Sequence, residues 1–280
     1  MVFPKNKEHL VMAVINITPD SFYEKSRCLN DSCLKERLNF LKKESFDILD
    51  IGSFSSRPNG EFISTKEELN RIIPALEIIT EIFPNTTISI DTFRSEVAEE
   101  CIKRFNIEII NDISGGSMDK NMYKTVSKYQ KTYVLTHIKG TPQTMFFSEN
   151  TSYKNLLEEM LIFFEERIKE LTILGCKNII IDPGFGFAKT TMQNYTILKN
   201  LHLFKKWGLP LMVGFSRKSM IWKILNSSPE NALNGTTILN TLALTHGANI
   251  LRVHDTKEAN ETIKLFEIYN NQTTTWRDLG

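Results

Sequence analysis

The chain has 280 residues, 41% hydrophobic and 24% charged, with 34 Lys+Arg against 33 Asp+Glu. That length admits one barrel-sized domain or two small ones, and it can bury enough apolar surface to need no staples; the composition excludes wholesale disorder. A net charge of +1 excludes attraction to nucleic acid or membrane by bulk charge, though not a local anion site. Cys28, Cys33, Cys101 and Cys176 form no CxxC pair and have no His at zinc-ligand spacing, so free thiols in a reducing cytoplasm are expected. The first residues, MVFPKNKEH, hold no apolar signal core, and no apolar run approaches the ~18 residues of a membrane span. Neither a leader nor a span is expected, and the protein reads as soluble and cytoplasmic.

Short apolar, β-branched runs recur along the chain. Strands are predicted at 10–15, 48–51, 87–90, 107–110, 133–136, 178–181, 209–213 and 250–253. These runs lack polar alternation, which suits strands buried on both faces of a parallel sheet covered by helices. Between them lie helical patterns, predicted at 65–83, 153–174 and 190–206. In the second, Leu156, Leu157, Met160, Phe163, Phe164, Ile168, Leu171 and Leu174 form one stripe, and Gly175 stands as its stop signal. Eight strands alternating with helices fit a single (β/α)8 barrel spanning 1–280, with 270–280 a frayed polar tail. A doubly wound dinucleotide-binding sheet fits less well, because the turn after the first strand, NITPDSF, holds no glycine.

Barrel enzymes place their chemistry at the carboxyl ends of the strands. Here every predicted strand ends in polar residues: Asn16; Asp50 with Ser55-Ser56-Arg57-Pro58; Asp91 and Thr92; Asn111 and Asp112; His137; Asp182; Ser216-Arg217-Lys218-Ser219; Arg252 and His254. One such residue is more often a cap or turn former. All of them at one rim point to a site. Asp91, Asn111 and Asp182 suit a flat heterocycle with an amino-amide edge. Arg57, Lys218, Arg252 and His254 suit an anion such as a diphosphate. His137 reads equally as a core histidine, Arg217 as the partner of a surface carboxylate, and the glycines of DPGFGF as turn formers. There is no HExxH pair and no Gly-x-Ser-x-Gly elbow, which argues against a catalytic zinc and a serine hydrolase.

These elements together resemble the dihydropteroate synthase family. The matching segments are 12–22 (MAVINITPDSF), Asp50-Ile51-Gly52 with 55–58, Ser89-Ile90-Asp91-Thr92, Ile110–Ser114, His137–Pro142, Asp182–Phe187, Gly214–Ser219 and Arg252–Asp255, in the family's order. The resemblance implies a barrel that condenses 6-hydroxymethyl-7,8-dihydropterin diphosphate with p-aminobenzoate. By the same implication Asp91, Asn111, Asp182 and Lys218 hold the pterin, and Arg252 stacks on it. Asn16, Arg57, Arg252 and His254 would bind the diphosphate, with Asn16 a ligand to Mg2+. Ser56, Pro58, Phe187 and Ser219 would meet p-aminobenzoate. Asp182, Lys218, Arg252 and His254 would carry the catalysis, sulfonamides would compete with p-aminobenzoate, and the enzyme would be a homodimer. The chain departs from the family's usual pattern at Tyr23–Ser26, Phe54, Ser56 and Ile138. Two other readings share the pterin contacts: a barrel serving methyl transfer to a corrinoid, and a pterin binder without catalysis.

Overall fold

The structure, a computed structural model, describes residues 7–17, 31–54 and 62–272. Cys28, Tyr23–Ser26, Ser56, Arg57, Pro58 and residues 273–280 of the expected tail lie outside them.

Eight parallel strands form the barrel: β1 Leu10–Asn16, β2 Ile48–Gly52, β3 Thr87–Asp91, β4 Ile107–Asp112, β5 Thr132–Thr136, β6 Ile179–Asp182, β7 Met212–Val213 and β8 Ile250–Val253. Their order is β6-β5-β4-β3-β2-β1-β8-β7. The ring closes between β6 and β7 through a bridge of Ile181 with Leu211 and the bond from Ile181 N to Pro210 O, 2.9 Å. The seventh strand, expected over 209–213, shrinks to two residues. Pro210 has no N–H to give to a ladder, so pairing there is limited to its carbonyl.

The helices are α1 Asp31–Leu41, α2 Thr65–Ile82, α3 Ser95–Arg104, α4 Met122–Lys128, α5 Ser148–Thr151, α6 Leu156–Ile173, α7 Thr191–Lys199, α8 Ser219–Trp222, α9 Leu233–Thr245 and α10 Thr256–Asn270. Capping side chains mark several starts: Ser64 accepts from Glu67 N, Asn155 accepts from Glu158 N, and Thr190 with Gln193 makes a full capping box. The helix expected at 190–206 is instead two pieces. α7 ends at Lys199, and a tighter 3-10 turn runs over Leu201–Trp207 until Gly208, φ 65°. Leu201 and Phe204 bury one face at a three-residue step, the repeat of a 3-10 helix.

The apolar interior has two compartments. Between barrel and helices lies the main core, including Ile15, Leu49, Ile90, Tyr133, Phe164 and Leu251. Inside the barrel lies a separate plug of Leu10, Met12, Ile48, Ile109, Val134, Ile180, Met212 and Ile250. Among the described residues no helix is long and apolar enough to cross a membrane.

Candidate active site

Side chains along a strand alternate faces, so residues two apart share one. The plug residues therefore identify which polar strand-end residues also face inward. Two residues on from Ile48, Ile109, Val134, Ile180 and Ile250 come Asp50, Asn111, Thr136, Asp182 and Arg252. Asn16 follows from Met12 at a four-residue step and His254 from Ile250. The same rule puts Asp112 and Thr92 outside the barrel. Asp112 accepts from Tyr133 Oη at 2.7 Å and from Ser114 N at 2.8 Å; Thr92 Oγ1 donates to Glu68 at 2.7 Å. Both strand-end residues brace the wall and take no part in the mouth.

Above the plug the barrel opens into a cavity of about 290 Å3. Asn16, Asp91, Asn111, Asp182, Phe187, Lys218, Ser219, Arg252 and His254 line it, together with Val14, Phe54, Ile113, Phe146, Ser216 and Trp222. Arg252 donates from Nε to Asp50 Oδ2 at 2.7 Å and from Nη2 to Asp91 Oδ2 at 2.8 Å. Asp50 Oδ2 also accepts from Asn111 Nδ2 at 3.0 Å. One fully buried carboxylate thus holds two wall residues on opposite sides of the barrel.

The loops after β6, β7 and β8 build the other wall. Asp182 Oδ1 accepts from Gly184 N at 2.8 Å, turning the chain back at the strand end. Lys218 Nζ donates to Phe185 O at 2.6 Å and stands 4.6 Å over the Phe187 ring. Arg217, expected to pair with a surface carboxylate, makes a largely buried two-point pair with Asp255, both bonds 2.8 Å, and also donates to the carbonyls of Pro229 and Glu230. His254 Nδ1 lies 3.1 Å from Ser216 Oγ. His137 is buried with its ring edge against Phe163, centroids 4.9 Å apart, and is not part of the cavity wall.

Burial dominates the electrostatics. It pushes the Asp91 carboxyl up to about 7, with Arg252 opposing, and raises Asp182 against Gly184 N–H, Lys218 and Arg252. Burial lowers Lys218 to about 8, with Asp182 opposing. Burial works against the Arg252 charge too, but Asp50 and Asp91 more than offset it and its pKa is raised. Burial, then Arg252, Arg37, Arg217 and Lys218, lowers His254 to about 3. His254 is therefore neutral at neutral pH, where the sequence suggested a positive charge.

Nine of the twelve site residues expected from the sequence meet in this cavity. The other three, Ser56, Arg57 and Pro58, lie outside the described residues. Sequence reasoning named Asp50 as a strand-end residue without giving it a place in the site. The two-residue step from Ile48 was the signal that could have placed it. Trp222 also lines the cavity, and nothing in its spacing announces that.

Comparison with known proteins agrees with this geometry. The sequence matches the pterin binding enzyme family over residues 12–254. It is 39% identical to the bifunctional dihydropteroate synthase/dihydropteroate reductase of Helicobacter pylori, covering 94% of this chain and 69% of that one. It is 36% identical to the dihydropteroate synthase of Synechocystis, covering 94% and 91%. The crystal structure of Yersinia pestis dihydropteroate synthase with a sulfonamide drug superposes with a TM-score of 0.89 at 31% identity, over 95% of each chain. The chain belongs to the pterin binding enzyme family, and within it to the dihydropteroate synthases.

Proposed function

We infer that this barrel joins 6-hydroxymethyl-7,8-dihydropterin diphosphate to p-aminobenzoate, releasing 7,8-dihydropteroate and diphosphate, a step of folate biosynthesis. The observation that carries this reading is the convergence of Asp91, Asn111, Asp182, Lys218 and Arg252 on one cavity. Acids and an amide there suit the amino-amide edge of a pterin, since a carboxylate can accept two N–H bonds from such an edge. Phe187 and Ser219 offer a ring face and a hydroxyl to p-aminobenzoate, with Ser56 and Pro58 assigned beside them by the resemblance alone.

The reaction breaks the C–O bond at the pterin CH2, and the electron pair leaves with diphosphate. The arylamine nitrogen then forms the new C–N bond and gives up a proton. Arg252, held charged by Asp50 and Asp91, faces both pterin and leaving group, and Arg57 is assigned to the diphosphate by resemblance. His254 would donate from Nε2–H to a phosphate oxygen while Ser216 donates to its Nδ1. Asp182 lies beside the ring that becomes electron-poor. Fixed charges of this kind stabilise a developing charge without reorganising.

A Mg2+ ion, when bound, neutralises a departing diphosphate. Asn16 would hold it. Mg2+ takes oxygen ligands and is usually bound by one or two protein groups plus substrate phosphates. That fits a rim bearing the Asn16 amide and no cluster of three or more His, Cys, Asp or Glu among the described residues.

The same reading takes 1–280 as one domain in the cytoplasm; the free, buried Cys101 and Cys176 support a reducing compartment. A homodimer is supported by exposed Ile238 and Leu242 of α9 beside Leu265, Ile268 and Tyr269 of α10.

The test is diphosphate release from purified protein given the pterin diphosphate, Mg2+ and p-aminobenzoate. Release that requires the arylamine is expected; pterin binding without release would mark a non-catalytic binder. In Asp182→Asn, turnover should fall about a hundredfold with thermal stability nearly unchanged, and wild-type turnover in that variant would remove Asp182 from the mechanism.

A further inference from the structure

Lys189 sits on the connection from β6 to α7, 3% exposed and outside the cavity wall. Its Nζ is 2.8 Å from Phe187 O, 3.0 Å from Gly184 O, 3.1 Å from His137 O and 3.0 Å from His137 Nδ1. An ammonium has three N–H groups, and this cage can occupy all of them. A buried amine is costly unless so satisfied, and an apolar side chain would fill the same volume more cheaply. What the amine adds is a tie between two loops.

The acceptors belong to the loop after β5 and to the turn after β6. Gly184, φ +70°, brings that turn so close to the His137 loop that a Cβ on it would stand 2.1 Å from His137 O. From the other direction, Lys218 takes the Phe185 carbonyl at 2.6 Å and lies over the Phe187 ring. Lys189 therefore grips the carbonyls of residues 184 and 187, and Lys218 that of residue 185, with the Phe187 ring at the cavity wall.

We propose that Lys189 is a positioning residue for the arylamine: its ammonium locks the 184–187 turn onto the His137 loop, fixing the Phe187 ring. This rests on Phe187 being the wall of the p-aminobenzoate pocket. The charged groups that face the amine are Asp182 and Lys218, with Lys139 acting on its His137 partner. Burial lowers Lys189 to about 7, against Asp182 and with Lys218. The lock is therefore charged below that pH and weakens above it.

Steady-state diphosphate release in the wild type and in Lys189→Met, with each substrate varied in turn, tests the proposal. The KM for p-aminobenzoate should rise about tenfold, while that for the pterin diphosphate stays within about threefold. Both KM values unchanged, or both raised alike, would overturn it. Gly184→Ala pushes the turn off His137 O while leaving Lys189 in place and should give the same selective rise; unchanged KM values there count equally against it. If neither variant folds, the wild-type protein decides. Its KM for p-aminobenzoate should climb from about pH 7 to about 9 by more than that for the pterin diphosphate, whose site residues Asp91 and Lys218 titrate in the same range, and a flat p-aminobenzoate profile overturns the proposal. Wild-type protein that releases no diphosphate would instead defeat the functional reading, so the two failures are distinct.

Discussion

Asp50 makes no contact with the cavity, yet it orients two residues that do. Its Oδ2 takes Arg252 Nε and Asn111 Nδ2 together. Asp50→Asn keeps the shape but removes the anion between them. Arg252 keeps Asp91, so the fold should survive. The KM for the pterin diphosphate should rise about tenfold, with that for p-aminobenzoate little changed; equal shifts in both would show that Asp50 only supports the barrel. The identity of the wall residues was legible in the sequence, because each strand ends in polar groups. Their direction was not read. Neighbours such as Asn111 and Asp112 look equivalent in a list, and only counting in twos from Ile109 separates the inward amide from the outward carboxylate.

At the scale of elements, the eight strands were legible because apolar β-branched runs leave few alternatives. The exceptions have local causes: Pro210 shortens β7, and the three-residue step of Leu201 and Phe204 turns the tail of α7 into a 3-10 segment. Ties between loops were not legible, since partners such as Arg217 and Asp255 lie 38 positions apart. That pair fastens the loop carrying Lys218 and Ser219 to the N-terminus of α10. Removing one member of a largely buried pair leaves the other uncompensated. Arg217→Met should therefore destabilise the protein by about 3 kcal/mol in a denaturant melt and lower kcat/KM by dislodging the loop. Adding Asp255→Asn should cost little more, because the two residues act as a unit; fully additive losses would show that they do not.

For the molecule as a whole, the burial of His254 beside grouped cations has a consequence for stability. His254 ordinarily titrates near 6.5 but is held down to about 3 in the fold. Between these values the unfolded chain binds the proton and the folded chain does not, so this group's contribution is lost as pH falls below about 6.5. His254→Gln should thus gain stability relative to the wild type on going from about pH 7.5 to about 5. Inorganic diphosphate, by offsetting the cations, should shrink that gain. Parallel thermal melts of the two proteins check this, and a difference independent of pH would contradict it.

The closure of the ring between β6 and β7 carries a further consequence. Seven of the junctions are strand ladders of two or more residue pairs, that between β3 and β4 with a register shift after Ile88, but this one rests on Ile181, Pro210 and Leu211. It is where the staves of the cylinder are most loosely hooped. Directly above it the turn bearing Phe187 faces the loop bearing Lys218. A molecule lodged between them would bridge the two connections that leave this joint, so substrate binding should brace the cylinder where it is least tightly closed.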